Sequence, residues 1–173
     1  HAIRCAARSF AKGQGQTLVL SGDVPLVRHE TLAELIRSHR RSRARASLLT
    51  AVLEEPGSLG RVVRNRAGRF DRIVESRDAT ADERKIREVN SGIYVFETPA
   101  LFEGVRKLKP QKGNGEFYLT NVVADLAATN HRVTAVLMAD ATEGLGINTR
   151  AELASAHATL KDRILMGHTD HGV

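Results

Sequence analysis

The chain has 173 residues, of which 42% are apolar and 27% charged, so it can form one packed domain and does not have the composition of a disordered chain. No run approaches the ~20 consecutive apolar residues of a membrane span, the first residues do not resemble a signal peptide, and the single cysteine, Cys5, excludes an internal disulfide framework. These features predict a cytoplasmic protein. The net charge of +6 permits nucleic acid, a nucleotide or neither as a partner.

Six short segments have the apolar pattern of β-strands. They are residues 17–21, 47–53, 61–65, 70–75, 90–96 and 132–138. The first two are nearly uninterrupted apolar runs, which is typical of strands buried on both faces. The third and fourth flank residues 66–69, a turn that contains glycine, and together they predict a β-hairpin.

Helix signals alternate with these strands. The predicted helices lie around residues 32–36, at 80–87, at 98–108, at 119–126 and from 149 onward. Two of them begin with capping boxes, Thr80 with Glu83 and Thr149 with Glu152. The alternation predicts an α/β fold in which a largely parallel sheet lies between helices.

The strongest candidate site directly follows the first predicted strand. In open α/β sheets, ligands bind outside the carboxyl ends of the strands. Ser21, Gly22 and Asp23 occupy this position: Gly22 allows the backbone to approach a ligand closely, and Asp23 presents a carboxylate. Carboxylate and amide oxygens are the protein ligands that Mg²⁺ prefers. An ordinary strand-to-turn Gly-Asp pair remains the alternative.

Four further residues lie where other predicted strands begin or end. They are Gly60, Glu75, Asn90 and Asn148. Each type alone is more often a cap or turn residue, and spacing does not show whether the four converge. Residues 112–120, which include Tyr118 and Thr120, form a glycine-bearing loop before a helix. This loop is compatible with a polar lid over a sugar or with a flexible loop whose Tyr118 packs on the core.

The motifs in chain order resemble one family. LVLSGDVPLV, SLGRVVRN, RIVESRDAT, REVNSGIYVF, GEFYLTNVV and GINTRAELA follow one another as in the N-terminal half of bifunctional N-acetylglucosamine-1-phosphate uridyltransferase/glucosamine-1-phosphate acetyltransferases (GlmU). The resemblance covers residues 1–166. It implies the Rossmann-like nucleotide-diphospho-sugar transferase fold, a mostly parallel mixed sheet between helices. Residues 1–149 would be the uridyltransferase domain without its first strand and phosphate loop, and residues 150–173 a helix and tail leading toward an absent left-handed β-helix domain.

The same resemblance implies a reaction and a set of roles. The family transfers a uridylyl group from UTP to N-acetylglucosamine 1-phosphate, which gives UDP-N-acetylglucosamine, a precursor of peptidoglycan and lipopolysaccharide, and pyrophosphate. By motif, Asp23 and Asn148 would be catalytic and hold Mg²⁺, with Ser21 and Gly22 beside the nucleotide. The sugar side would comprise Gly60, Glu75, Asn90, Tyr118 and Thr120. The full-length protein would be a homotrimer, and the isolated 173-residue fragment weak or inactive.

Two departures and two alternatives accompany this expectation. Ser21 stands where the family often has an aromatic residue, and Asn121 where an Asp is usual. One alternative is a related sugar-nucleotide or cytidylyl transferase. The other, from a different class, is a basic nucleic-acid-binding module based on residues 40–45 and the net charge. No aromatic residues that could stack on bases are interleaved with that basic run, so we expect no nucleic-acid partner.

Overall fold

The computed structural model describes residues 2–10, 14–111 and 115–170, and its centre is a six-stranded sheet. The strands are β1 (Gln16–Val19), β2 (Ala46–Val52), β3 (Arg61–Arg64), β4 (Phe70–Val74), β5 (Glu88–Glu97) and β6 (Val133–Leu137). Their order is β4-β3-β5-β2-β6, and β1 pairs with β5. All six predicted strands are confirmed, with ends that differ by one or two residues.

Within these described ranges, five α-helices and three short 3₁₀ turns connect and cover the strands. The helices are α1 (Ala2–Ala6), α2 (His29–Ser42), α3 (Thr98–Lys107), α4 (Leu119–Ala128) and α5 (Arg150–Asp170), and the 3₁₀ turns are Ala7–Phe10, Glu83–Lys85 and Ala141–Gly144. Both predicted capping boxes form: Glu83 N and Glu152 N each donate to the threonine hydroxyl oxygen three residues earlier, at 3.2 and 3.1 Å. The predicted helix at 80–87 shortens to a single 3₁₀ turn.

Each face of the sheet buries its own apolar cluster. On one face, Phe96 of β5 packs with Leu101 of α3 and with Val122 and Val123 of α4. On the other face, Leu35 of α2 packs with Leu49, Ile93 and other strand residues. The sheet therefore lies between helices, and the predicted α/β fold with a mixed sheet is confirmed.

The expectation of mostly parallel pairing is wrong. Among the described strands, β2 pairs with β6 in parallel, whereas the pairs β1·β5, β2·β5, β3·β4 and β3·β5 are antiparallel. The reason is the position of β5, which runs opposite to its neighbours β1, β2 and β3. Those three strands and β6 still point the same way, and along β5 the carboxyl end of β1 faces the beginning of β3.

The long strand β5 is irregular in its middle. Between the pairs Leu48↔Tyr94 and Thr50↔Asn90, β2 advances two residues while β5 advances four. Gly92 lies inside this interval with a φ of +78°, a left-handed conformation that favours glycine. The extra residues bend β5 at the place where the candidate functional residues gather.

Candidate functional site

The candidate site lies in a gap along one edge of β5. On this edge, β1 ends at Val19, opposite Tyr94, and β3 begins at Arg61, opposite Val89. Residues 90–93 of β5 therefore lie between the end of one strand and the start of another. Loops that follow β1 and precede β3 converge on this gap, which explains why residues distant in sequence meet here.

The segment after β1 is anchored to the bend in β5. Ser21 Oγ donates to Gly92 O at 3.1 Å. A Cβ at residue 92 would lie 2.4 Å from Ser21 Oγ, so glycine is required for this close approach. Gly22 is exposed, and a Cβ there would meet nothing within 4 Å, so the space above the strand tip is open.

Asp23 and Asn148 border the same space, although 125 positions separate them in the chain. Ile147 N donates to Asp23 O at 2.8 Å, which fastens the last loop to the strand tip. A Cβ at Gly146 would lie 3.3 Å from Asp23 Oδ2 and 3.8 Å from Asn148 Nδ2. The capping box of α5 orients this loop, since Asn148 N donates to Glu152 Oε2 at 2.7 Å.

The second part of the site is a polar recess on the other side of the bend. Gly60 O accepts from Asn90 N at 2.9 Å, and Glu75 Oε1 accepts from Thr120 Oγ1 at 3.3 Å. A Cβ at Gly60 would lie 2.9 Å from Ile73 Cγ2 and 3.5 Å from Glu75 Oε2, so a side chain there would crowd the carboxylate. Four of the predicted sugar-side residues are therefore together.

Tyr94 completes this recess and was not predicted. Asn90 Nδ2 donates to Tyr94 Oη at 2.7 Å, and Asn90 Oδ1 accepts from Gly92 N at 3.2 Å. Burial raises the pKa of the Tyr94 hydroxyl above its usual range, the hydrogen bond from Asn90 opposes that rise, and the nearby Glu75 charge adds to it. The two bonds hold the Asn90 amide in one orientation and join the two parts of the site.

Tyr118 lies at the start of α4, two residues before Thr120. Its Oη donates to Glu116 Oε2 at 3.0 Å, and the guanidinium carbon of Arg77 lies 5.1 Å from the centre of its ring. It is half-buried rather than packed into either apolar cluster. Residues 112–114 of the predicted loop lie outside the described residues.

The arrangement around Asp23 fits a magnesium ion. Within the described ranges, no three His, Cys, Asp or Glu side chains converge as a metal site built from protein alone would require. Mg²⁺ commonly takes only one or two carboxylates and completes its shell with water and substrate phosphates. One exposed carboxylate, a neighbouring amide and the open space that Gly146 leaves between them match that need.

The basic run at the end of α2 is a helix end with local partners. Arg40 Nε donates to Gln16 Oε1 at 2.9 Å, and Arg41 Nη2 lies 3.5 Å from Glu34 Oε1. Arg43 ends the helix in the left-handed conformation.

None of the described helices has both the length and the apolar composition that a membrane-spanning helix needs.

An α/β sheet with a carboxylate at a strand tip and a polar recess beside it fits a nucleotidyltransferase. Residues 1–156 match the family model described as Nucleotidyl transferase, and the chain belongs to this family. Among curated relatives, the chain is 41% identical over 173 residues to the Bifunctional protein GlmU of Brevibacillus brevis, covering 100% of this chain and 38% of the relative. It is 43% identical over 164 residues to the Bifunctional protein GlmU of Syntrophotalea carbinolica, and this match covers 95% of this chain and 35% of the relative. The resemblance inferred from the motifs is confirmed.

Solved structures support the fold alone. The structure of UDP-glucose pyrophosphorylase complexed with UDP-glucose matches this chain with a TM-score of 0.66 at 16% identity. A putative glucose-1-phosphate thymidylyltransferase from Bacillus anthracis, in complex with a sucrose, matches it with a TM-score of 0.63 at 20% identity. Each match covers 94% of this chain and 61% of the other. The chain spans about 38% of the length of the Brevibacillus brevis relative.

Proposed function

We propose that this chain forms the uridylyltransferase site of a GlmU-type enzyme, which makes UDP-N-acetylglucosamine and pyrophosphate from UTP and N-acetylglucosamine 1-phosphate. The observation that carries the proposal is the meeting of two unlike half-sites at residues 90–92. One half holds Asp23 and Asn148, and the other holds Glu75, Asn90 and Thr120. A nucleotide and a sugar phosphate bound side by side require such a pair of subsites.

The reaction needs positioning more than acid–base chemistry. A phosphate oxygen of the sugar phosphate attacks the α-phosphorus of UTP, a new P–O bond forms, and the bond to the pyrophosphate leaving group breaks. The nucleophile is already anionic, so no side chain has to remove a proton. The protein must hold the reacting atoms in line and compensate the accumulated negative charge.

On the sugar side, hydrogen bonds would select the substrate. The Glu75 carboxylate accepts from sugar hydroxyls, and its orientation is supported by Thr120. The fixed amide of Asn90 provides a second polar contact. Tyr118 would lie at the mouth of this recess. A buried polar group that loses its partner costs about 1–3 kcal/mol, which is enough to discriminate between related sugars.

On the nucleotide side, Asp23 and Asn148 would hold Mg²⁺, with Ser21 and Gly22 beside the nucleotide. Bound Mg²⁺ would neutralise charge on the phosphate oxygens. The exposed Asp23 carboxylate faces the open space beside Gly146, so it can bind metal without a change in the fold.

The wider context of the enzyme is also part of the proposal. The enzyme would make UDP-N-acetylglucosamine, a cell-wall precursor, in the cytoplasm. The whole protein would assemble as a homotrimer. The division into a nucleotidyltransferase domain at 1–149 and a C-terminal helix and tail at 150–173 stays a prediction. It coincides with the start of α5 at Arg150.

The decisive test is a chimera in which these 173 residues replace the matching 173 residues of the Brevibacillus brevis relative. We expect pyrophosphate release from UTP with Mg²⁺ and N-acetylglucosamine 1-phosphate, and much slower release with glucose 1-phosphate. A folded chimera that releases no pyrophosphate, while the parent relative does so under the same conditions, would refute the proposal. Faster turnover of glucose 1-phosphate would instead refute the sugar assignment and favour another sugar-nucleotide transferase.

The role of Asp23 is tested by Asp23→Asn in that chimera. Removing the charge should lower kcat by on the order of 100-fold or more, because the metal would lose its carboxylate ligand. Asp162→Asn on the exposed surface of α5 is the matched control and should stay within about twofold. If the two variants retain equal activity, Asp23 does not bind the metal.

A further inference from the structure

A cavity of about 620 Å³ lies away from the candidate site, between the tip of the β3–β4 hairpin and the turn that joins α4 to β6. This volume is in the range of small-molecule binding pockets. The hairpin contributes Arg64, Asn65 and Arg69, and the turn contributes Asn130, His131 and Arg132. Phe70, Val133 and Ala135 form part of its lining between these two groups.

The charge of this cavity is one-sided. Among the described residues, its lining contains three arginines and no Asp or Glu. Arg64 is neutralised by Glu88, which it contacts through two hydrogen bonds of 2.6 and 2.7 Å. Within the described part of the chain, Arg69 and Arg132 have no ion pair; Arg132 Nη1 donates to Ser42 O at 2.8 Å. Two arginines without an ion pair among the described residues therefore line one concave space.

Asn65, beside these arginines, has an amide group that can donate to an anion. Asn65 Oδ1 accepts from Ala67 N at 3.0 Å and from Arg69 N at 3.1 Å, so the amide NH₂ of Asn65 is the end that remains for a ligand. These bonds also hold the hairpin turn, and with it the backbone of Arg69, in a defined shape. Guanidinium groups bind phosphoryl oxygens through paired, charge-assisted hydrogen bonds.

We propose that this cavity binds a small phosphorylated molecule. The arginines would bind the phosphoryl group, and the apolar lining formed by Phe70, Val133 and Ala135 would contact the ring to which it is attached. The concave shape favours a compact anion over a nucleic-acid backbone, which would require an extended cationic surface. This site does not depend on the proposed function, because it shares no residue with the half-sites around residues 90–92.

The test is a titration of the ¹⁵N-labelled chain, followed by NMR, at constant ionic strength and without divalent metal. The three probes are inorganic phosphate, uridine 5′-monophosphate and glucose 1-phosphate. We expect saturable shifts of the amides at residues 64–70 and 130–135 with at least one probe. Equal affinity for all three would assign the binding to the phosphoryl group alone, and tighter binding of an organic phosphate would assign a contribution to the apolar lining.

The variant Arg69→Gln should weaken binding about tenfold, as expected for one lost charge-assisted contact. Arg66→Gln removes the same charge from the same turn, but Arg66 does not line the cavity, and we expect less than a twofold effect. Equal weakening by both variants would overturn the proposal in favour of a diffuse positive field. A DNA duplex is titrated in the same way as a comparison. The absence of shifts at both segments with all three phosphate probes, whether or not the duplex shifts them, would also overturn the proposal.

Discussion

The hydroxyl of Tyr94 is the buried acceptor for the amide of Asn90, at 2.7 Å. Tyr94→Phe keeps the ring in its apolar cluster but leaves the Asn90 NH₂ without that partner. We expect the free energy of unfolding in urea to fall by about 1–3 kcal/mol. Tyr118→Phe removes the only other tyrosine hydroxyl, whose partner Glu116 is exposed, and should cost less than about 0.5 kcal/mol. Equal decreases in the free energy of unfolding of the two variants would show that the buried Asn90–Tyr94 hydrogen bond stabilises the fold no more than the exposed bond of Tyr118.

This contact also marks a limit of prediction from sequence. In a regular strand, residues four apart are separated by about 13 Å, so Asn90 and Tyr94 would not be expected to touch. They meet because β5 is bent between them, where Gly92 adopts a positive φ. A strand pattern predicts residues near strand ends, which is how Gly60, Glu75 and Asn90 were found. It contains no signal for a bend that depends on contact with Ser21.

Strand positions and strand directions differ in how far the sequence determines them. Burial on a pleated surface produces a local apolar pattern, so all six strand positions could be predicted. Direction depends on which strands become neighbours, and that is decided by packing across the whole sheet. The sequence pattern therefore did not predict that β5 lies between β2 on one side and β1 and β3 on the other. The alternation of strands and helices nevertheless predicted the α/β class correctly.

The packing of α3 on α4 depends on Gly104. A Cβ at this position would lie 2.4 Å from Cγ1 of the fully buried Val122. Gly104→Ala should therefore lower the free energy of unfolding by about 1–3 kcal/mol, because the clash outweighs the gain of up to about 1 kcal/mol in helix propensity. At Gly167 in α5, a Cβ would meet nothing within 4 Å, so Gly167→Ala should be neutral or slightly stabilising. Thermal or urea unfolding of both variants measures this difference in stability. A Gly104→Ala variant as stable as the unsubstituted protein would show that α3 and α4 do not require glycine at this contact.

His39 links helix α2 to the strands β2 and β5 of the central sheet. It lies fully buried in α2, its Nδ1 is 2.9 Å from Ser47 Oγ of β2, and its Nε2 is 3.2 Å from Glu97 Oε1 of β5. Burial lowers the pKa of His39 below its ordinary value of 6.5, and the hydrogen bond and charge of Glu97 only partly oppose this effect. The folded protein therefore keeps His39 neutral at a pH where the unfolded chain already binds a proton.

This difference in proton binding sets the sign of a pH effect on the stability of the whole fold. Because the unfolded state binds more protons between the folded pKa of His39 and about 6.5, the free energy of unfolding should be highest above pH 6.5 and should fall as the pH drops below it. Urea unfolding at pH 7.5 and pH 5.5 measures the fall. In His39→Gln, which cannot titrate, the fall should be smaller than in the wild type, whatever the stability of the variant at pH 7.5. His157→Gln on the exposed surface of α5 should retain the wild-type pH dependence. An unchanged fall in His39→Gln would mean that the buried histidine does not link protonation to folding, and that other groups produce the acid sensitivity.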